Sequence, residues 1–329
     1  MPGNIPTGIE KNRSIGFTNR LLSKAFPHIT TEKILKFSGD FDFKINFCWK
    51  QVGYLSKISY FGRGLSIHLI MSEFQGKCAI LTGAGQGIGK EIARQLALQG
   101  AHLILNDLDA DLLETTVEEM NERHVSGGGR CIGVPGDAGD LTVIDEMIHQ
   151  ATLHFNRLDM VVANAGITTF GDFLEYEADD FEKLMHLNLQ GSFFLCQKSA
   201  RAMIHRGIKG RIILMSSVTG HQAHEGLTAY GMTKAALQAL AKLTAVELAS
   251  YGITVNAISP GATITERTLE DPDYIPEWER ITPTGVVTRV EDIAHTALFL
   301  LSEKTGQLTG QTLIVDGGWT STSPQPKEK

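Results

Sequence analysis

Cysteine is scarce in this chain. Four thiols (Cys48, Cys78, Cys131, Cys196) are spread over 329 residues, with no CxxC pair, which argues against a disulfide scaffold or a zinc ribbon. Three of them lie in apolar runs, where a thiol behaves as a small buried hydrophobe. No run approaches the roughly 18 apolar residues of a spanning helix, so an integral membrane protein is not expected. Positive charge is also short: 30 Lys and Arg stand against 37 Asp and Glu, a net charge of -7. That offers no general attraction for nucleic acid. Internal repeats are lacking, and low complexity is confined to the polar tail 321–329. What remains is globular composition, 42% hydrophobic and 20% charged, in a chain long enough to bury a sizeable core.

The charge is unevenly placed. Residues 1–72 carry a net +6 and the remainder -13. The first segment is basic and rich in Phe, with no sustained helix or strand period, and it is expected to be a poorly structured extension. Leu65 to Met71 is too short and too late for a signal peptide, and a mitochondrial presequence fits only halfway. A cytoplasmic protein is therefore expected. Met71 and Ser72 make a natural start for the acidic remainder of the chain.

From Lys77 onward, strands and helices alternate. Cys78–Leu81, His102–Leu105, Cys131–Val134, Met160–Ala163, Arg211–Met215, Thr254–Ile258 and Thr312–Val315 are short apolar runs of the kind buried in parallel sheets. Between them lie helical periods at Ile88–Leu98, Ala110–His124 with Asp109 placed to cap it, Leu141–Phe155, Asp179–Arg206, Thr228–Tyr251 and Val290–Leu301. Seven strands interleaved with helices predict one α/β domain over 73–320, a doubly wound parallel sheet with helices on both faces.

The first strand runs into Thr82-Gly83-Ala84-Gly85-Gln86-Gly87-Ile88-Gly89. Glycines there allow a tight turn and let a pyrophosphate approach the backbone, and N–H groups at the start of the following helix point at the anion. A lone glycine cluster is weak, but its place between strand one and helix one makes it a nucleotide-loop signature. Asp107 ends the second strand, where a carboxylate accepts hydrogen bonds from ribose hydroxyls and repels a 2′-phosphate. Gln86 and the absence of Arg or Lys before the helix leave nothing to receive that phosphate, so NAD is favoured over NADP. The fifth strand ends at Ser216-Ser217, and Tyr230 and Lys234 follow as an i, i+4 pair on one helix face. An ammonium beside a phenol favours its phenolate, which is then able to take the proton of an alcohol while hydride leaves the carbon.

TGAGQGIG, Ala163-Asn164-Ala165-Gly166, Asn188 in HLNLQG, Ser217, Tyr230-x-x-x-Lys234 and Pro260-Gly261 occur in one order. The chain resembles the short-chain dehydrogenase/reductase family over about 73–320, in its single-domain subgroup, similar to glucose 1-dehydrogenases and 3-oxoacyl-acyl-carrier-protein reductases. The resemblance implies a Rossmann-type sheet and a catalytic set of Asn188, Ser217, Tyr230 and Lys234. Tyr230 is then the acid/base and Ser217 orients the substrate oxygen. Lys234 tunes Tyr230 and holds the nicotinamide ribose, and Asn188 holds a relay water. It also implies a dinucleotide lined by Gly83, Gln86, Gly87, Ile88, Gly89, Asp107, Asp137, Ala138 and Asn164, with Tyr230 and Lys234. Thr263 and Thr265 fall where the family packs the carboxamide, although Thr263 replaces the usual Ile or Val and Ala163 a common Asn.

His221 and His224 are spaced for a metal but have no third ligand, so no metal is expected; they are read as lining the substrate mouth or simply facing solvent. Glu266 to Thr282 interrupts the alternation and is read as a lid. Surplus apolar residues from Ala235 to Leu248 point to a homo-oligomer, and the resemblance implies a tetramer. The leading function is NAD-dependent oxidation of a secondary alcohol or reduction of a ketone, with the small-molecule substrate open among sugars, polyols, hydroxy acids and sterols. The rivals are an NADP-linked 3-oxoacyl-acyl-carrier-protein reductase and a non-catalytic nucleotide sensor, whose mark would be a lost Tyr or Lys.

Overall fold

The computed structural model describes residues 57–61, 64–68, 72–124 and 128–323. Its core is a seven-stranded parallel sheet. The strands are β3 (Cys78–Thr82), β4 (His102–Asp107), β5 (Cys131–Pro135), β6 (Met160–Ala163), β7 (Arg211–Met215), β8 (Thr254–Pro260) and β11 (Thr312–Val315), in the order β11-β8-β7-β6-β3-β4-β5. The helices are α1 (Gly87–Leu98), α2 (Ala110–Glu119), α3 (Leu141–Phe155), α4 (Ala178–Leu184), α5 (Ser192–His205), α6 (Thr228–Leu248), α7 (Tyr274–Ile281) and α8 (Val290–Leu301).

Strand periodicity of two builds two cores. Ala79, Leu81, Leu103, Leu105 and Ile213 pack with Ile92 and Leu96 of α1, Leu113 of α2 and Ile293 of α8. Their neighbours Ile80, Ile104, Ile212 and Leu214 point the other way, onto Ile144 and Met147 of α3, Leu195 of α5 and Leu237 of α6. Both faces of the sheet are covered, which is why the strands read as continuous apolar runs. The chain starts the sheet at β3, builds one flank through β4 and β5, then returns to the other side of β3 with β6. That reversal opens a crevice at the carboxyl ends of β3 and β6, where such sheets take ligands.

Helices α3 and α8 and strands β6, β7 and β11 occupy the spans expected from the sequence. Asp109 caps α2, its Oδ1 accepting the Leu112 N–H at 3.0 Å. The long helical stretch ending at Arg206 departs from expectation: it holds a π-helical turn at Met185–Gly191 between α4 and α5. The region after β8 holds a short parallel pair, β9 (Thr263–Ile264) with β10 (Thr288–Arg289), and helix α7.

Within the segment expected to lack regular structure, β1 (Lys57–Phe61) pairs antiparallel with β2 (Gly64–His68). Its register sets Ile58 opposite Ile67 and Tyr60 opposite Leu65, an apolar alternation bracketing Gly62-Arg63 that is too short to stand out as a strand period. The expectations for 1–56 and for the tail beyond 323 lie outside the described residues. Among the described residues no helix is long and apolar enough to cross a membrane.

Candidate functional site

The glycine loop leaves β3 in a turn that only glycine fits. Gly83 has φ +60°, and a Cβ there would come within 3.0 Å of Ala165 Cα. A Cβ on Gly89 would collide with the Gly83 carbonyl oxygen, so the first turn of α1 lies directly on the loop. Asn164 holds this approach from β6, its Nδ2 donating to the carbonyls of Thr82 at 3.0 Å and Gly83 at 2.9 Å. Thr82 Oγ1 in turn accepts the N–H groups of Asn164 and Ala165. The observed role of Asn164 is thus to lock two strand ends together beneath the loop.

Asp107 stands at the end of β4 with Oδ2 accepting the Gly85 N–H at 2.9 Å and Oδ1 the Asp109 N–H at 3.2 Å. Leu108 beside it is 74% exposed and its side chain offers no donor. Lys90 in the first turn of α1 is paired with Glu119 at 2.8 Å. Gln86 is exposed at the N-cap of α1, with Ile88 half-buried in its first turn. Ala138 is buried in the loop after β5. Asp137 folds back on its own turn, Oδ1 accepting the Gly139 N–H at 2.7 Å and Oδ2 lying 3.3 Å from His186 Nε2. With Asp140 these form a partly exposed group of three potential metal ligands, distinct from the His221 and His224 pair.

Across the crevice, Tyr230 and Lys234 lie in the first two turns of α6, the Lys234 ammonium 5.4 Å from the Tyr230 ring centroid. Lys234 is 4% exposed and donates to the Met215 carbonyl at 2.9 Å. Ser217 opens a short 3-10 turn, Val218–Gly220, its Oγ accepting the Thr219 N–H at 3.3 Å. A Cβ on Gly231 would lie 3.0 Å from the Thr219 carbonyl, so this turn packs on α6 right beside Tyr230. Asn188 is fully buried in the π-helical turn, bonded through its side chain to both backbone groups of Ile167 and to Thr233 Oγ1. A Cβ on Gly166 would sit 3.1 Å from Asn188 Oδ1 and 3.3 Å from Lys234 Nζ. The missing side chain at Gly166 is what leaves space between these two groups.

Thr263 and Thr265 sit in the strap after β8. Thr263 is buried and its hydroxyl donates to the Gly261 carbonyl at 3.0 Å, while Thr265 N–H donates to Thr268 Oγ1 at 2.8 Å. The Tyr274 hydroxyl accepts the Thr263 N–H at 3.0 Å and donates to its carbonyl at 3.4 Å. Burial pushes the Tyr274 phenol up, keeping the donor proton in place. His224 stacks on Trp319 at 5.0 Å between centroids, and Trp278 meets Trp319 edge-on at 5.3 Å. Burial lowers the His224 imidazole from its ordinary value, so it is held neutral. His221 Nε2 lies 3.1 Å from Ser259 Oγ.

Two features of the site are not legible in the sequence. Gly166 stands in the Asn-Ala-Gly motif, but its contact with Lys234 depends on the fold. Glu266 accepts the Gly87 N–H at 2.9 Å, from 179 residues away. No local pattern signals that contact. It bears on whether the loop fits a dinucleotide: a cradle that a Cβ would fill, and an N–H already holding an anionic oxygen, suit a pyrophosphate.

A family model described as Enoyl-(Acyl carrier protein) reductase matches residues 83–320. L-Rhamnose 1-dehydrogenase (NADP(+)) of Thermoplasma acidophilum is 36% identical over 251 residues, covering 75% of this chain and 98% of the relative. Oxidoreductase UcpA of Escherichia coli is 37% identical over 260 residues, covering 76% and 97%. The crystal structure of a short-chain type dehydrogenase/reductase from Mycobacterium marinum superposes with a TM-score of 0.71 at 32% identity, covering 77% of this chain and 98% of the other. A match of this extent, over the segment that carries the glycine loop and the Tyr230–Lys234 helix, establishes that the chain belongs to the short-chain dehydrogenase/reductase family, nicotinamide-dependent oxidoreductases acting on CH–OH groups.

Proposed function

We propose that the protein oxidises a secondary alcohol, or reduces the corresponding ketone, with NAD, and that a sugar or polyol is the leading substrate class. The observation that carries this reading is the buried Lys234 ammonium 5.4 Å from the Tyr230 ring, across the crevice from the glycine loop. When bound, the nicotinamide supplies the acceptor or donor for a hydride. Tyr230 receives the hydroxyl proton of the alcohol at its phenolic oxygen, or returns it to a ketone. Lys234, held by the Met215 carbonyl, keeps its ammonium beside the Tyr230 ring. Ser217 orients the substrate oxygen. The space that Gly166 leaves between Asn188 and Lys234 is where a relay water is proposed to sit.

NAD in preference to NADP is supported by Asp107 at the end of β4, by the exposed Leu108 and by the pairing of Lys90 with Glu119. Relatives with NADP(+) and NAD(P)(+) in their names make this a property to be measured on this chain. The sugar reading rests on the L-rhamnose 1-dehydrogenases among the relatives and on the aromatic wall of His224, Trp319 and Trp278. Apolar rings suit the C–H face of a sugar.

A homo-oligomer is supported by a continuous exposed stripe along α6: Met232, Ala235, Ala239, Leu243 and Val246 at helical spacing. We further propose that 73–320 is the complete catalytic unit. A panel of sugars, polyols, hydroxy acids and sterols with NAD and NADP, followed at 340 nm, tests the function. NAD-linked oxidation of a sugar or polyol is expected, equally in a chain starting at Met71; reduction of only the 3-keto group of a 3-oxoacyl-acyl-carrier thioester, with NADPH, would favour the other reading.

A further inference from the structure

The anion seat of the glycine loop is already taken. Glu266 Oε2 accepts the Gly87 N–H at 2.9 Å, and Gly87 is the first residue of α1. An exposed N–H at a helix start, with the dipole behind it, attracts negative charge. Glu266 is exposed, and its only hydrogen-bond partner among the described residues is that N–H. Its neighbour Thr265 lies just as close: a Cβ on Gly87 would be 3.4 Å from Thr265 Cγ2 and 3.8 Å from Glu266 Oε2.

The strap that carries Glu266 is tied at its base. β9 pairs with β10, the Tyr274 hydroxyl bridges both backbone groups of Thr263, and Thr268 Oγ1 donates to the Thr263 and Thr265 carbonyls. The tether places Glu266 over the loop. The flexible glutamate side chain remains free to leave by rotating, with no need to unfold the strap.

We infer that Glu266 is a built-in competitor for the dinucleotide pyrophosphate, a carboxylate latch that occupies the Gly87 N–H in the free protein and must be displaced when cofactor binds. The inference rests on the proposed cofactor reading. Two anions cannot share one N–H at the start of a helix. Binding is therefore an exchange, and the affinity for any pyrophosphate ligand carries the cost of expelling Glu266. The same carboxylate is poised to return when the cofactor leaves, which favours release. Adenosine, which lacks the phosphates, does not meet this cost.

Calorimetric titration of the full chain at low salt tests this, with NADH, ADP and adenosine as probes. The proteins are the wild type, Glu266→Gln, Glu266→Ala and, as a charge control, Glu270→Gln in the nearby exposed turn. The expected result is a Kd for NADH and ADP about tenfold smaller in both Glu266 variants, with adenosine changed less than twofold and Glu270→Gln like the wild type. The latch is overturned if the wild type binds NADH but both Glu266 variants bind it equally or more weakly. Equal tightening in Glu270→Gln overturns it too, by showing a general effect of charge. A wild type that binds neither NADH nor ADP overturns the cofactor reading itself, and the latch with it.

Discussion

One carboxylate, that of Asp107, does two things at once. It closes the glycine loop through the Gly85 N–H and, on the proposed cofactor reading, repels a 2′-phosphate. Asp107→Ser removes both the repulsion and the tie. NAD use should weaken and NADP use improve, moving the ratio of kcat/KM values for the two cofactors by about tenfold or more, which is about 1.4 kcal/mol. A wild type that already prefers NADP would remove Asp107 from the selection. At this scale the sequence separates Asp107 from Asp109 by position alone, and Asp109 does cap α2. It does not reveal that the amide of Asn164 is spent on the Thr82 and Gly83 carbonyls. Nor does it show that the Asp137 carboxylate faces Gly139 and His186. Side-chain partners are set by tertiary contact, and a motif gives only the position.

Among the elements, α1 makes the sharpest test of close packing. Alanine in a helix interior is ordinarily favoured over glycine by about 1 kcal/mol. Gly89→Ala should reverse that sign, because the new Cβ meets the Gly83 carbonyl, which is backbone and has no side-chain freedom to yield. A fall in Tm of at least about 3 °C is expected, as befits a loss of about 1 kcal/mol in a domain of this size, and a rise in Tm would contradict the packing described. Strands such as β6 and β7 are legible from sequence because they are buried on both faces and bounded by polar residues or glycine. The π-helical turn that carries Asn188 is not, since an apolar helical period runs through it with only a slight change of phase. Helix α7 is hidden by Pro272, Pro276 and Pro283 around it; Pro276 is tolerated because it falls in the first turn, where its missing N–H has no intrahelical partner to lose. The β1–β2 pair escapes notice because Ser59 and Ser66 interrupt its apolar residues, leaving no continuous run like those of β6 and β7.

For the whole molecule, the stripe on α6 is the feature that a single chain leaves unexplained. Leu243 is 65% and Val246 79% exposed on a helix whose other face is core. Changing both to Glu should lower the mass seen by light scattering after size exclusion while NADH affinity stays within about twofold. An unchanged mass would place any interface elsewhere. On the proposed function, segments far apart in sequence make a single hydride-transfer site at the carboxyl edge of one sheet: the glycine loop, the end of β4, the turn with Asn188, the turn after β7 and the start of α6. Tyr230→Phe tests it most directly, since it keeps the ring and removes only the hydroxyl. With a substrate found in the 340 nm panel, kcat should fall at least about 10²-fold, the lower end of general acid–base contributions, while the Kd for NADH changes less than twofold. Turnover within threefold of the wild type would contradict the account.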